Sequence, residues 1–220
     1  SGNGCGSVNS SIVAVIVVAD PTISSQPTAI TQCIGGTSAL SVTATGGTPS
    51  LTYQWFSNAS NSNSGGTLIG SATSSSYTPP STSAGTTYYY CIISAGGNGC
   101  NPVTSDVVAV TILADPSISS QPTGFTECID GTRSLSVTAT GGTPSLTYQW
   151  YRNTTSSTSG ATLIGSATNA SYTPPSTSAG TKYYYCIVSA SGNGCTSVTS
   201  SIVLVTVVAD PTITVQPTAI

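Results

Sequence analysis

Thr87-Tyr88-Tyr89-Tyr90-Cys91 returns further along the chain as Lys182-Tyr183-Tyr184-Tyr185-Cys186. Each run is rich in the aromatic residues that suit a pleated surface and reads as one strand. Side chains alternate along a strand, so Tyr89, Cys91 and Ile93 share one face while Tyr88, Tyr90 and Ile92 share the other. We assign the first set to a core, with Tyr184 and Cys186 as its second-copy counterparts. A single tryptophan precedes each run, Trp55 within Tyr53-Gln54-Trp55 and Trp150 within Tyr148-Gln149-Trp150.

The recurrence extends over the whole chain. Cys33 and Cys128, Trp55 and Trp150, and Cys91 and Cys186 keep a 95-residue period, as do Cys5, Cys100 and Cys195. The Asp-Pro steps at Asp20, Asp115 and Asp210 keep it too. Self-similarity at a fixed period marks copies of one supersecondary unit. The expected organisation is a first unit over 19–113 and a second over 114–208. Residues 1–18 match the end of a unit, a loop plus its last strand, and 209–220 match the first strand of a following one. The whole reads as a window on a longer array.

Within a unit, Gly and Pro punctuate short apolar runs, the pattern of an all-β sandwich, and helix signals are lacking. Thr22 to Gln32 reads as a first strand, with Pro27 confining it to a sheet edge. Leu40, Val42 and Ala44 alternate with Ser and Thr on a second, half-buried strand. Gly46-Gly47-Thr48-Pro49 is a turn. Leu51, Tyr53 and Trp55 point inward on a third strand, and 57–66 is a polar loop. Thr67 to Ile69 and Ser76 to Thr78 are short strands, followed by Thr86 to Ser94 and Val103 to Leu113. A cysteine, a tryptophan and a Tyr-x-Cys strand in that order mark an immunoglobulin-like sandwich, here in tandem. Trp55, Tyr89, Trp150 and Tyr184 are the expected core anchors. Tyr89 would also form the corner in which a tyrosine hydroxyl bonds a backbone group near the turn before its strand. The Asp115-Pro116 step follows the last strand at once, which predicts a stiff junction with almost no linker.

Composition narrows the function. Charged residues are 4% of the chain, with no His and no Met, and the only cations are Arg133, Arg152 and Lys182. Nucleic-acid binding needs clustered Lys and Arg to neutralise phosphates, so it is excluded. No apolar run approaches the roughly 20 residues of a membrane helix. Without His or clustered acids, neither a nucleophile–base pair nor paired-carboxylate chemistry is available, and neither catalytic residues nor cofactors are expected. The isolated Asp20, Asp115 and Asp210 are a weak calcium signal, since calcium takes several oxygen ligands. They read as turn residues with their prolines.

Seven cysteines suggest an oxidising, extracellular setting. Strand spacing favours Cys33–Cys91 and Cys128–Cys186 as disulfides. Cys100 and Cys195, in Gly-Asn-Gly-Cys loops, have two alternatives: Cys33 and Cys128, or Cys91 and Cys186 across their own hairpin. Three cysteines per unit cannot all pair within it. Cys5, Cys100 and Cys195 are therefore candidates for bonds between domains or chains, and Cys195 to Cys33 would staple two units.

The runs Leu40-Ser41-Val42-Thr43-Ala44-Thr45-Gly46-Gly47, Tyr53-Gln54-Trp55, Ser76-Tyr77-Thr78-Pro79 and Ala84-Gly85-Thr86-Thr87-Tyr88-Tyr89-Tyr90-Cys91 resemble the immunoglobulin-like repeats of giant secreted surface proteins of Bacteroidota. The resemblance implies export, a cell-surface location and a place in a stalk or filament serving adhesion or gliding. The alternative expectation is a binding module that offers loops 57–66 and 152–161 to a glycan or protein. Tyr88, Tyr90, Ile92, Tyr183, Tyr185 and Ile187 form an apolar outer stripe and are candidates for lateral contact between neighbouring chains or repeats. Near-zero charge would favour that association: the first unit carries only Asp20 and Asp106, and the second balances three acids against three cations.

Overall fold

The computed structural model describes residues 4–217 as an all-strand chain. The first unit contains β1 (Thr22–Ser25), β2 (Ile30–Cys33), β3 (Leu40–Ser41), β4 (Thr43–Thr45) and β5 (Leu51–Asn58). These are followed by β6 (Thr67–Leu68), β7 (Ser76–Tyr77), β8 (Gly85–Ala95), β9 (Val103–Thr104) and β10 (Val108–Leu113). The second unit repeats them as β11 (Ser117–Ser120), β12 (Phe125–Cys128), β13 (Leu135–Ser136), β14 (Thr138–Thr140) and β15 (Leu146–Asn153). It ends with β16 (Thr162–Leu163), β17 (Ser171–Tyr172), β18 (Gly180–Ala190), β19 (Val198–Thr199) and β20 (Val203–Val208).

Two layers enclose each core. The larger sheet runs β2-β10-β8-β5-β6, with β9 also on β8, and the opposing layer is made by β1 on β4 and β3 on β7. The predicted first strand is in fact two. β1 pairs antiparallel with β4, whereas β2 crosses to the other sheet and pairs parallel with β10. Pro27 lies between them, where a residue without an N–H interrupts no ladder. The predicted last strand is likewise broken, into β9 and β10. The break is a built feature: the Cys91 N–H donates to Ser105 Oγ at 2.9 Å, and the Ser105 N–H donates to the Cys91 carbonyl at 2.9 Å. Ser200 serves Cys186 in the same way.

Trp55 and Trp150 are fully buried, each donating its indole N–H at 2.9 Å to a backbone carbonyl, of Ser74 and Asn169. Removing roughly 200 Å² of such a ring from water is worth about 5 kcal/mol. Cys91 stands directly opposite Trp55 in the β5–β8 ladder, and Leu40, Val42, Tyr89 and Ile93 complete the first core. Tyr184 packs equivalently in the second. The tyrosine corner, however, does not form. Among the described residues the Tyr89 hydroxyl donates to no backbone carbonyl, and its ring packs against that of Tyr77 of β7 with centroids 5.8 Å apart.

The Gly46-Gly47 turn holds the entry to each unit. Both residues have positive φ, and a Cβ on Gly46 would sit 2.6 Å from the Asp20 carbonyl oxygen. Gly47 donates its N–H to Ala19, as Gly142 does to Ala114, so the turn grips the Ala-Asp-Pro step. Only 114–116 separate β10 from β11. The strands expected within 1–18 and 209–220 are not seen over 4–18 and 209–217, where the backbone has no strand beside it to pair with; the expectations for 1–3 and 218–220 lie outside the described residues.

Ser105 supplies the partner of a buried amide, so its loss orphans an N–H. Ser105→Ala and Ser200→Ala are expected to destabilise their own unit by about 1–3 kcal/mol. Urea unfolding followed by tryptophan fluorescence measures this, with exposed Ser83→Ala as the neutral reference.

Candidate functional site

The parallel pairing of β2 on β10 carries Cys33 level with Leu113, at the end of the first unit that meets the second. From there Ile34 donates its N–H to the Leu113 carbonyl. The following turn is held by Ser81, whose carbonyl accepts from the Gly35 N–H and whose hydroxyl donates to the Gly36 carbonyl at 2.7 Å. Gln32 is fully buried beneath it, donating to the Gly36 carbonyl and accepting the Ser38 N–H.

The second unit presents the loop between β18 and β19, Gly192-Asn193-Gly194-Cys195. Asp115, in the junction itself, fixes this loop by accepting the Thr196 hydroxyl at 2.5 Å and its N–H at 3.4 Å. Asp20 holds Asn101 in the same way, and the side-chain and amide hydrogen bonds from Asn101 keep its carboxyl below the usual range.

Loop and turn then meet. Cys33 and Cys195 form a disulfide, with Cα atoms 4.9 Å apart and a sequence separation of 162. The Cys33 N–H donates to the Asn193 carbonyl at 2.9 Å, and Asn193 Nδ2 donates to Ser38 Oγ at 2.9 Å. Gly194 has positive φ, and a Cβ there would collide with the Gly36 nitrogen. No other residue fits that contact.

This pairing replaces the expected Cys33–Cys91 bond. Ile112 pairs with Gly85, so Cys33 is level with the residue before Gly85, while Cys91 lies six residues beyond it. That is roughly 20 Å along the strands, far past disulfide reach. Cys91 instead is a buried free thiol whose burial pushes its pKa up to about 11. Cys186 matches it, and its expected bond to Cys128 is absent for the same reason. Cys128 and Cys5 are exposed and Cys100 is half-buried, all as free thiols. Of the open alternatives, the structure forms the Cys195–Cys33 staple. Sequence reasoning missed Ser38, Ser81, Asn193 and Gly194, although the threefold Gly-Asn-Gly-Cys loop was a visible signal.

The outer tyrosine stripe is also corrected. Tyr90 and Tyr185 are 3% and 4% exposed, covered from within their own unit. Phe56 and Tyr151 stack on them at 5.1 Å, and the loops expected to vary fold over them: Gly66 donates its N–H to the Tyr90 hydroxyl, and the Tyr185 hydroxyl donates to the Thr158 carbonyl. Tyr88, Ile92, Tyr183 and Ile187 are half-buried. The loops themselves are tied down, since Asn58 donates to Ser62 and Ser64 and Asn153 to Ser157 and Ser159.

In the second unit the turn equivalent to Ile34–Ser38 has the same path with altered side chains. Asp130 takes positive φ, 63°, where Gly35 has 83°. Glu127 replaces Gln32; its Oε2 accepts the Arg133 N–H, but its Oε1 is buried without a partner because a carboxylate has no N–H for the Gly131 carbonyl.

Two tandem immunoglobulin-like sandwiches, joined covalently across a three-residue step, are the class that this fold and joint define. Residues 19–116 and 114–209 each match the family described as "Ig-like domain CHU_C associated", and the chain belongs to that Bacteroidota-associated repeat family. No curated protein matches the sequence. Among solved structures, a three-domain I-band fragment of titin superposes with a TM-score of 0.55 at 13% identity, covering 87% of this chain and 66% of that one. The three N-terminal domains of the bacteriophage RB49 outer capsid protein Hoc give 0.54 at 13%, covering 87% and 71%. Drosophila OTK extracellular domains 3–5 give 0.51 at 18%, covering 86% and 62%. The chain spans 51% of a Sidekick-1 fragment of immunoglobulin domains 1–4 that it also matches. At such identities these likenesses show the fold alone.

Alkylation of the native protein at pH 8 is expected to label Cys5, Cys100 and Cys128 and to spare the other four cysteines, as read by peptide mass spectrometry. Label on Cys33 or Cys195 contradicts the staple. Cys91 and Cys186 have folded pKa values raised above the ordinary 9.0, so the stability they contribute is complete below pH 9 and is lost as pH rises toward about 11. Glu127→Gln restores the amide donor of Gln32 and is expected to stabilise the second unit by about 1 kcal/mol in urea unfolding.

Proposed function

We propose that this chain is a structural repeat segment of an extracellular stalk or filament that serves cell-surface adhesion. The observation that carries the reading is the Cys33–Cys195 bond across the junction between consecutive units. A bond placed there orients one sandwich on the next, and with a junction of 114–116 it leaves little freedom to bend. Disulfides persist in oxidising surroundings, which supports an exported location. The surface supports it as well: charged residues are 4% of the chain, and Ser and Thr hydroxyls pair across strands instead, as Thr86 does with Thr111 at 3.1 Å. Such a surface changes little with salt or pH. Recognition of a glycan or protein through loops 57–66 and 152–161 draws less support, because the side-chain amides of Asn58 and Asn153 are already spent on carbonyls of their own loops.

A segment that carries tension should keep most of its length behind the staple. In a chain of 220 residues the bonded cysteines lie 162 positions apart. Pulling on the two ends of the oxidised chain is expected to release only the remainder, while reduction adds roughly 550 Å of contour at about 3.4 Å per residue. Equal contour lengths in oxidised and reduced chains, measured by single-molecule force extension, overturn the proposal.

A further inference from the structure

The joint has a second, unjoined half at each end of the pair. Cys128 occupies in the second unit the position of Cys33 in the first, and Cys100 occupies in the first the position of Cys195 in the second. Each sits in a frame already built. β12 runs parallel to β20 as β2 does to β10, and brings Cys128 level with Val208. Ile129 donates to the Val208 carbonyl, Ser176 donates its hydroxyl to the Gly131 carbonyl, and Asp130 donates its N–H to Ser176. These repeat the bonds of Ile34, Ser81 and Gly35. Gly131, the counterpart of the residue on which Gly194 rests, remains glycine. Asp130 matters most here. A non-glycine residue at φ 63° is uncommon, and it keeps the backbone path that the joined turn needs. At the other end, Gly99 has φ 83° against 82° for Gly194, and Asp20 holds Asn101 as Asp115 holds Thr196.

Burial tells the two states of this surface apart. Gln32, Cys33 and Gly36 are buried beneath the seated loop, whereas Glu127 and Gly131 are half-buried and Cys128 is exposed. We propose that the turn around Cys128 is a docking site for the Gly-Asn-Gly-Cys loop of another copy of this repeat, closed by a Cys128–Cys100 disulfide between two copies of the chain. The contact is heterologous, head to tail, and so propagates into linear chains rather than stopping at a dimer. Backbone groups supply most of it: the Cys128 N–H for the Asn98 carbonyl, and the Gly99 backbone on that of Gly131. Arg133, where the joined turn has Ser38, offers donors to the Asn98 side-chain oxygen. The inference rests on the observed joint and stands whether or not the assembly serves as a stalk.

Closing the bond needs an oxidant. A thiolate of one cysteine attacks oxidised glutathione, forming a mixed disulfide and releasing one glutathione thiolate. The other cysteine's thiolate then attacks the mixed disulfide at the protein sulfur and expels the second. Two protein thiols are oxidised and one glutathione disulfide is reduced to two glutathiones.

The test uses the full chain with Cys5→Ser, so that only Cys100 and Cys128 remain as accessible thiols. Oxidised glutathione is expected to yield a ladder of 21.8 kDa multiples on non-reducing gels, lost on reduction, with Cys100 linked to Cys128 in peptide maps. Adding Cys128→Ser or Cys100→Ser abolishes the ladder. An equimolar mixture of those two variants stops at a heterodimer, with on the order of tenfold more dimer than either alone, the factor that about 1.4 kcal/mol of docking supplies. Circular dichroism checks that the variants stay folded. Cys100–Cys100 or Cys128–Cys128 dimers in comparable yield, or a mixture no better than its components, overturn the proposal.

Discussion

The pairing of β2 with β10 is the constraint on which the rest of this molecule depends. A first strand paired only to its own hairpin neighbour would leave Cys33 within the sandwich. Crossing to the opposite sheet at Pro27 and running parallel to the last strand instead delivers Cys33 to the junction, beside the step that begins the next unit. The junction itself supplies the complementary piece, since Asp115 anchors the loop that carries Cys195. One strand crossing and one carboxylate thus bring together sulfurs 162 residues apart. Closing so long a loop lowers the entropy of the unfolded chain, by about 5 kcal/mol in the chain-entropy account of disulfides.

Because the disulfide lies between units, each core does without one. Leu40 and Val42 occupy the second strand, and Cys91 remains a thiol opposite Trp55. Its raised pKa follows from burial and keeps it out of exchange at ordinary pH, because the thiolate is the reactive form. Core stability rests on the aromatic cluster of Trp55, Tyr77 and Tyr89, and on the outer pair Phe56 and Tyr90 that the following loop covers. That outer pair explains an apolar residue on a face that alternation marks as solvent: the loop provides the missing layer.

The strands, the tandem organisation and the tryptophan anchors were legible in the sequence because period-two alternation and a 95-residue recurrence are local or self-comparing signals. The split of the first strand was half-legible. Pro27 announced an interruption, but nothing local says which sheet a strand joins after it. The cysteine pairing was the least legible part. Strand spacing favoured Cys33–Cys91, yet the register places Cys33 opposite Leu113, and register is a non-local property set by which strands are neighbours. The cover of Tyr90 and Tyr185 failed to show for a similar reason. A polar loop sequence gives no sign that its glycine packs on a ring 24 residues away.

An odd number of cysteines per unit looks like a defect in a domain considered alone, and is the natural count for a member of a linear array. A unit joined at both ends needs one sulfur at each, and the third, buried, takes no part. The two end sulfurs are also well placed mechanically. In the second unit, Cys195 follows β18, Cys128 ends β12, and β20 lies between these strands, parallel to one and antiparallel to the other. Tension entering at Cys195 and leaving at Cys128 would pull these neighbours lengthwise past one another. A ladder loaded in that direction must give up its hydrogen bonds together, whereas one peeled from an end gives them up singly. The loop that carries Cys195 also pairs back through β19 on β18, so the entry point of the load is itself part of the sheet. Cys33 marks the joint that is formed, and in a chain loaded through both sulfurs the placement of Cys33 and Cys128 at the ends of parallel strands would decide which direction of force the sheet resists best.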